Sequence, residues 1–440
     1  MSNTARGLSL FALTMIAIGS TIGSGIFQTP SSIAREVNHP GWMIGLWIAG
    51  GVVSLLGALV FAELGSRVSK PGGVYAYLHE AYGALPAFLY GWSLLAVVSS
   101  GTIAALIIVF ADYMDYFFGF GPDLKPLIAA SAIVVLTLFN TFGIKSSEWF
   151  ANISTIIKIV GIYAVLTAAL FLGREAIFGS SDPAVAAPGS PGSPGATPLA
   201  IAFVGVLWSY TGWHYASFVS GEARNPRRNV PIAMVLGTAA VTLTYVLTNL
   251  GYMSVLPLTE IQQSEALAAE VMQRVIPGSG NAVALLIAIS VFGCAGIYVL
   301  ATPRIIQQMS AERLFFPAFA RNHPRFGVPL NAIILQSAWA IVLVFFWGKF
   351  EALYTYVTTT EWLFLMAAAA GLFIVRSRAK ATHEGFSVPL YPVVPVLFCL
   401  VVGWFIYKNA VSDNPAAYYG LLIIPVGALV YILFRSRSRS

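Results

Sequence analysis

The chain has 440 residues, of which 58% are hydrophobic and only 10% are charged, and its formal net charge is +6. Soluble proteins carry about 25% charged residues, so this composition excludes a soluble domain and indicates a polytopic membrane protein. In such a chain the excess of Lys and Arg reports on loop orientation and not on nucleic-acid binding. The two cysteines, Cys294 and Cys399, lie in apolar runs, so neither a disulfide framework nor a metal site is predicted.

Apolar runs of membrane-crossing length predict an all-α protein with about twelve transmembrane helices, numbered here span 1 to span 12. Their predicted limits are residues 8–34, 41–64, 85–118, 126–142, 148–172, 199–221, 230–256, 281–309, 329–347, 351–375, 391–410 and 416–434. A polar turn is predicted at 65–84, a loop at 173–198 and a short surface helix at 260–276.

The basic residues are distributed unevenly between the two sides. With the N-terminus inside, 17 of the 24 Lys and Arg residues fall in inner segments and 6 in outer segments, and the remaining one is Lys158 within span 5. Cytoplasmic loops are the ones enriched in Lys and Arg. The sequence therefore predicts a multi-pass plasma-membrane protein with both termini in the cytoplasm.

Span 1 contains three glycines within seven residues, Gly19, Gly23 and Gly25. Each costs a helix interior about 1 kcal/mol relative to Ala, and the flanking apolar segments are too short to cross a bilayer separately. The sequence predicts one membrane helix that is unwound in its middle. Irregular backbone at that depth must be buried in protein or line a cavity. Two interpretations follow, a binding site or a close-packing face of small residues.

Span 6 has a polar and aromatic middle at residues 209–214, five helices after span 1. Inverted-repeat transporters place interrupted helices at matching positions in their two halves. This spacing predicts one transporter domain over 1–440, with repeat one at about 8–172, repeat two at about 199–376 and spans 11 and 12 at 391–434 as an addition. The alternative for the middle of span 6 is an aromatic packing patch.

Five stretches give the chain a family resemblance over nearly all of its length. They read IGSGIF at 22–27, PGGVYAYL at 71–78, LWSYTGW at 207–213, GEARNPRRNVP at 221–231 and LFFPAFAR at 314–321. The chain resembles the amino acid–polyamine–organocation permeases and, within them, bacterial relatives of the L-type amino acid transporters. The resemblance implies a LeuT-type fold of five plus five inverted helices, often with two more, in which helices 1 and 6 are unwound.

A broken helix offers partners to both charges of an α-amino acid. Free N–H groups at the start of a half-helix favour an anion, so the amides of Ser24 and Gly25, with the Ser24 hydroxyl and Gly23, are expected to hold the carboxylate. Free carbonyls at the end of a half-helix favour the ammonium. The predicted substrate-binding residues are Thr21, Gly23, Ser24, Gly25, Trp208, Ser209 and Thr211, of which Thr21, Trp208 and Thr211 supply carbonyls to the ammonium.

Lys158 is a lysine deep within span 5. A charged residue at mid-bilayer costs several kcal/mol and points to function by default. The alternative is a side chain that extends to the interface. The resemblance implies a lysine that takes the place of a sodium ion, bridging the span 1 break and span 8, and hence sodium-independent transport. Protonation linked to transport is a further interpretation, because buried lysines change their proton affinity readily.

Three more residues have two interpretations each. Glu361 in span 10 is either a proton carrier or a structural partner of a buried donor. His214 follows the span 6 break where the L-type members mostly carry Asn, and is either proton-linked or a hydrogen-bonding substitute. Tyr298 in span 8 matches an aromatic gate position of the family, whereas aromatic residues on membrane helices commonly serve in packing. The pocket is expected to lack an acidic residue facing the substrate, which disfavours arginine and polyamines.

The sequence thus predicts a secondary transporter of L-amino acids, neutral ones by preference, that works by alternating access without sodium and is not an enzyme. The alternatives are a proton-coupled symporter and, from another class, a membrane sensor or channel. No cofactor or metal is expected, and the partners are the amino acid and the lipid bilayer. The loop at 119–126 lacks the cysteine by which animal L-type transporters bond to a glycoprotein, so no disulfide-linked subunit is expected.

Overall fold

The computed structural model of the chain describes residues 8–68, 72–141, 144–172, 194–217, 223–311, 313–378, 385–412 and 414–437. Helices of the first half are α1 Leu10–Thr21, α2 Gly25–Val37, α3 Pro40–Arg67, α4 Val74–Tyr82, α5 Ala84–Ser93, α6 Ser100–Phe118, α7 Lys125–Thr141 and α8 Ile144–Leu172. A π-helical turn, Leu94–Ser99, joins α5 to α6.

Helices of the second half are α9 Ala196–Tyr210, α10 Pro226–Val255, α11 Leu258–Gln263, α12 Leu267–Val275, α13 Gly280–Ala301, α14 Pro303–Ala311, α15 Leu330–Trp347, α16 Phe350–Arg378, α17 Val393–Ala410 and α18 Pro415–Arg437. Short 3-10 turns lie at Trp213–Ser217 and Pro317–Phe319. The predicted loop at 173–198 falls largely outside the described residues, and so does the predicted end of span 6 at 221.

The helices agree with the predicted all-α membrane architecture. Within the described ranges eight helices are long and apolar enough to cross a membrane, and the bent pair α1 and α2 makes a ninth span. The other three predicted spans correspond to α7, α8 and α9, of which α7 and the 156–172 part of α8 are shorter apolar helices. The chain is therefore a multi-pass α-helical membrane protein.

Several helices that lie five spans apart pack against each other. Span 1 contacts span 6 through α2 and α9, and span 2 contacts span 7 through α3 and α10. The same relation holds for α6 with α13 and for α7 with α15. These four pairs place the broken spans 1 and 6 face to face, which positions the site described below. The repeat boundaries at 172 and 199 stay a prediction.

Two predicted connections differ from the structure. The turn predicted at 65–84 contains helix α4, which starts after Gly73 at φ +52° and buries most of one side against α5 and α16. The single surface helix predicted at 260–276 is two helices, and α12 buries Leu267, Val271 and Met272. Helix α4 is too short for a transmembrane pattern, so the apolar-run criterion did not detect it.

Ion pairs tie span 10 to neighbouring helices at both of its ends. At its start Glu351 pairs with Arg35 of α2 at 2.6 Å and accepts a hydrogen bond from Ser32 at 3.0 Å. Near its end Arg376 donates to the fully buried Glu63 of α3 at 2.5 and 2.7 Å. The predicted local pair of Glu63 with Arg67 is confirmed at 2.5 Å. Span 10 is thus fastened to span 1 at one end and to span 2 at the other.

Candidate functional site

The predicted break in span 1 is present. Helix α1 ends at Thr21, α2 begins at Gly25, and the two axes differ by 43°. Residues 22–24 between them are not helical. The two half-helices therefore present a carbonyl end and an amide end to the same region, and these ends carry partial negative and partial positive charge.

The predicted break in span 6 is also present. Helix α9 ends at Tyr210, and a 3-10 turn starts at Trp213. Between them Gly212 has φ +132°, and a Cβ on this residue would collide with the backbone of Ser20 and Thr21. Glycine is needed here because other residues rarely adopt that backbone conformation and because there is no room for a side chain.

The two breaks are bonded directly to each other. The Ser20 hydroxyl lies 2.9 Å from the Gly212 carbonyl oxygen, and the hydroxyls of Thr29 and Ser209 lie 2.9 Å apart. Gly25 belongs to this contact, because a Cβ there would lie 2.7 Å from the Cα and the Cβ of Ser209. Gly25 therefore packs closely against α9, and its role in substrate binding stays a prediction.

Tyr245 of α10 braces both breaks, and the sequence analysis did not identify it. Its buried hydroxyl lies 3.0 Å from the carbonyl oxygen of Thr21 and 3.0 Å from that of Ser209. One tyrosine among the many of this chain gives no sequence signal for such a position.

A small cavity opens between the breaks. Its volume is about 30 Å³, which is room for one or two water molecules. Nine of the predicted site residues line it, namely Thr21, Gly23, Ser24, Gly25, Trp208, Ser209, Thr211, Tyr298 and Glu361, together with Ser20, Thr102, Leu106 and Cys294. Thr102, Leu106 and Cys294 come from apolar stretches of α6 and α13, where the sequence does not show which face turns toward a cavity.

The amide end of α2 carries a polar group that is ready for a ligand. The Ser24 side chain is buried, and its hydroxyl has no hydrogen-bond partner within the described residues. Burying a hydroxyl without a partner costs roughly 1–3 kcal/mol. A Cβ on the neighbouring Gly23 would meet nothing within 4 Å, so open space lies beside this end of the helix.

Lys158 lies behind the break and not on the cavity wall. Its side chain is buried, and its Nζ donates to the Gly19 carbonyl at 2.7 Å. The predicted link between span 5 and the span 1 break is therefore present at Gly19. The predicted contact of this lysine with span 8 stays a prediction, although α8 and α13 pack together.

His214 and Glu361 form a buried pair beside the cavity. The Nε2 of His214 lies 3.6 Å from Oε1 of Glu361, and both side chains are almost fully buried. Because Glu361 lines the cavity, the expectation that the pocket lacks an acidic residue is wrong. The error has a physical cause: one step along a helix turns a side chain by about 100°, and the run of threonines before Glu361 hides which face is inward.

Two aromatic residues of the cavity wall, Trp208 and Tyr298, pack against further aromatic rings. Trp208 packs against Phe350 and Tyr354 with ring centres 6.0 and 6.3 Å away. Tyr298 lies 6.0 Å from Tyr215, with their rings nearly perpendicular. The gating role of Tyr298 stays a prediction.

Comparison with known proteins identifies the family. A family model described as amino acid permease matches residues 8–429 of the chain. The chain belongs to the amino acid permease family. The match spans both broken helices and all the residues of the cavity, so this permease transports amino acids and is not an enzyme.

The permease aligns with known proteins over nearly its full length. It is 32% identical to the human b(0,+)-type amino acid transporter 1 over 98% of its own chain and 88% of that one. It is 31% identical to the serine/threonine exchanger SteT of Bacillus subtilis, over 98% and 97% of the two chains. It is 30% identical to the human cystine/glutamate transporter, over 98% and 85%. The resemblance to the L-type transporters is confirmed.

Proposed function

We propose that this permease carries neutral L-amino acids across the membrane by alternating access, as an exchanger or facilitator that does not use sodium. The observation that carries the proposal is the cavity formed where the broken spans 1 and 6 meet. Its walls offer the amide end of α2 together with the carbonyl ends of α1 and α9. The carboxylate of an α-amino acid suits the amide end, and its ammonium suits the carbonyl ends.

The carboxylate is assigned to the α2 end of the cavity. The groups that hold it are the amides of Ser24 and Gly25, with the Ser24 hydroxyl and Gly23, all of which line the cavity. Backbone donors at a helix N-terminus favour an anion. The unpartnered Ser24 hydroxyl supports the assignment, since a carboxylate oxygen would satisfy it.

The ammonium is assigned to the carbonyl ends of α1 and α9. Thr21 and Thr211 lie at these ends and line the cavity with Trp208. A carbonyl oxygen has two lone pairs, so Thr21 can accept from the ammonium as well as from Tyr245. In a low-dielectric cavity such contacts are stronger than in water.

Alternating access is supported by the closure of the site. A cavity of about 30 Å³ is too small for an amino acid, so substrate entry needs the half-helices to move. With the orientation predicted from the loop charges, the Arg35–Glu351 pair lies on the outer side and the Glu63–Arg376 pair on the inner side. Breaking one pair at a time would open the site to one side at a time.

Sodium independence is supported by Lys158. Sodium-coupled transporters of this architecture bind the ion with unwound backbone carbonyls. Here a buried ammonium donates to such a carbonyl, that of Gly19 near the end of α1. An exchange mode is supported by the relative whose name describes a serine/threonine exchanger.

The experiment is tracer uptake into liposomes that contain the purified permease. We expect labelled serine, alanine or threonine to enter faster when the liposomes hold unlabelled amino acid, and at the same rate when choline replaces sodium. Liposomes without the permease give the background uptake. Uptake that appears only with an inward sodium gradient would contradict the proposal.

Proton-coupled symport is the second candidate. The observation that favours it is the buried contact of His214 with Glu361 at 3.6 Å, beside the cavity, because intramembrane carboxylates and histidines form proton relays in pumps and transporters. An inward proton gradient applied to the same liposomes would then drive accumulation, and an ionophore that collapses the gradient would stop it. Exchange without proton coupling predicts that the proton gradient drives no accumulation, whether or not the ionophore is present.

The proposal also states in which membrane the permease lies, how it is oriented and which partners it needs. The bulk of the Lys and Arg residues lie on the side of the termini, which supports cytoplasmic N- and C-termini in a plasma membrane, the inner membrane of a bacterium. The permease acts with the lipid bilayer and its substrate, without a cofactor and without a disulfide-linked subunit. Accessibility of single cysteines placed at residues 2 and 440 to a membrane-impermeant reagent tests the orientation.

A further inference from the structure

We propose that Glu361 selects the substrate side chain, and that the preferred substrates carry a short hydroxyl-bearing side chain. The inference rests on the proposed function, because it places the amino and carboxyl groups of the substrate at the helix breaks. Glu361 then lies on the part of the cavity wall that is left for the side chain, together with Thr102, Leu106, Cys294 and Tyr298.

Glu361 has an oxygen available for a substrate. Its side chain is only 3% exposed, and its Oε1 accepts no hydrogen bond within the part of the chain that the structure describes. The His214 Nε2 at 3.6 Å lies beyond normal hydrogen-bond length. A buried carboxylate oxygen without a donor is costly, so a ligand that brings a donor to it is favoured.

The distance available to the side chain is short. One cavity of about 30 Å³ touches both Ser24 at the α2 end and Glu361. A side chain attached to a carboxylate held at Ser24 therefore reaches Glu361 after few atoms. This short reach suits the side chains of serine and threonine better than the long chains of lysine and arginine.

Other side chains are disfavoured by hydrogen bonding. An ionised acidic side chain has no proton to donate, so it would leave Oε1 of Glu361 without a partner. An aliphatic side chain of the same size would fill the space and leave Oε1 without a donor. Sites built to hydrogen-bond a hydroxyl discriminate strongly against the analogue that lacks it.

The test compares amino acids that differ only in the hydroxyl. Serine is matched with 2-aminobutyrate, and threonine with valine, as competitors of labelled alanine uptake into liposomes that hold the wild-type permease. We expect the inhibitory concentration of the hydroxyl-bearing member of each pair to be at least about ten times lower than that of its partner. Lysine, arginine and glutamate are expected to inhibit weakly.

Two variants assign this preference to Glu361. Glu361→Leu removes the acceptor at similar size and is expected to bring the serine to 2-aminobutyrate ratio close to one. Glu361→Gln keeps a carbonyl acceptor and is expected to keep the preference for serine. A yield of folded protein like that of the wild type, measured by size-exclusion chromatography, shows that the leucine variant reports on binding.

Each outcome has one meaning. Equal inhibition by serine and 2-aminobutyrate in the wild type, or an unchanged ratio in Glu361→Leu, would overturn the inference while the proposed function stands. Preference for lysine or arginine would also overturn it and would assign Glu361 to a cationic side chain. If no amino acid were taken up at all, the proposed function itself would fail.

Discussion

Replacing Gly23 by valine is expected to abolish uptake while the permease still folds. A Cβ on Gly23 would meet no atom within 4 Å, and the residue lies on the cavity wall next to Ser24. The added methyl groups would therefore occupy space assigned to the substrate carboxylate. Because a displacement of about 1 Å at a reacting or binding group can cost about a hundredfold, we expect at least that loss in transport efficiency. Tracer uptake measures the loss, and size-exclusion chromatography measures folding.

Gly45 provides the matched control. A Cβ there also meets nothing within 4 Å, and this residue lies on the exposed side of α3, away from the cavity. Gly45→Val should retain wild-type uptake. Wild-type uptake by Gly23→Val would contradict the assignment of this end of α2 to the substrate.

Gly25→Val is expected to behave differently from Gly23→Val. At Gly25 the new Cβ would collide with Ser209 and separate α2 from α9. Overpacking of such a contact typically costs 1–3 kcal/mol. We expect lost uptake together with a lower yield of folded protein.

Replacing Lys158 by methionine is expected to lower uptake about tenfold to a hundredfold. Methionine keeps the length of the side chain and removes the ammonium that donates to Gly19 at 2.7 Å. Hydrogen bonds to charged groups contribute roughly 1.5–3 kcal/mol, which corresponds to this range if the bond is needed for the closed state. Initial rates of tracer uptake in liposomes measure the effect.

Lys349→Met is the control, since Lys349 is exposed at the start of span 10. It should leave uptake unchanged. Full activity of Lys158→Met would contradict the role of the ammonium at the span 1 break. Activity that becomes dependent on sodium in Lys158→Met would support the proposal that this ammonium takes the place of a cation.

The helix breaks, the membrane spans and the buried lysine could be predicted because each corresponds to an unusual pattern of residue types in the sequence. Glycines in a membrane helix are unfavourable unless the backbone needs them, and a lysine among apolar residues is costly. These features predicted the positions of Gly23, Gly212 and Lys158. The pairing of spans 1 and 6 followed from their spacing of five helices, and the packing of α2 on α9 agrees with it.

The side of the cavity that faces the substrate side chain could not be predicted. Thr102 and Cys294 lie in apolar stretches of α6 and α13, so periodicity does not distinguish a cavity from a packing surface there. Tyr245 acts through its hydroxyl on two carbonyls that are far away in sequence. Glu361 was recognised as unusual, but its orientation depends on helix rotation, which requires coordinates.

The central claim is that the two breaks bind the carboxylate and the ammonium of one molecule. Its most direct test is competition against labelled serine uptake by three compounds: unlabelled serine, serine methyl ester, and glycerate, which has a hydroxyl in place of the amine. The account predicts that serine competes and that each modified compound, having lost one of the two charges, competes at least about tenfold less well. Competition by the ester or by glycerate at the same concentration as serine would contradict it.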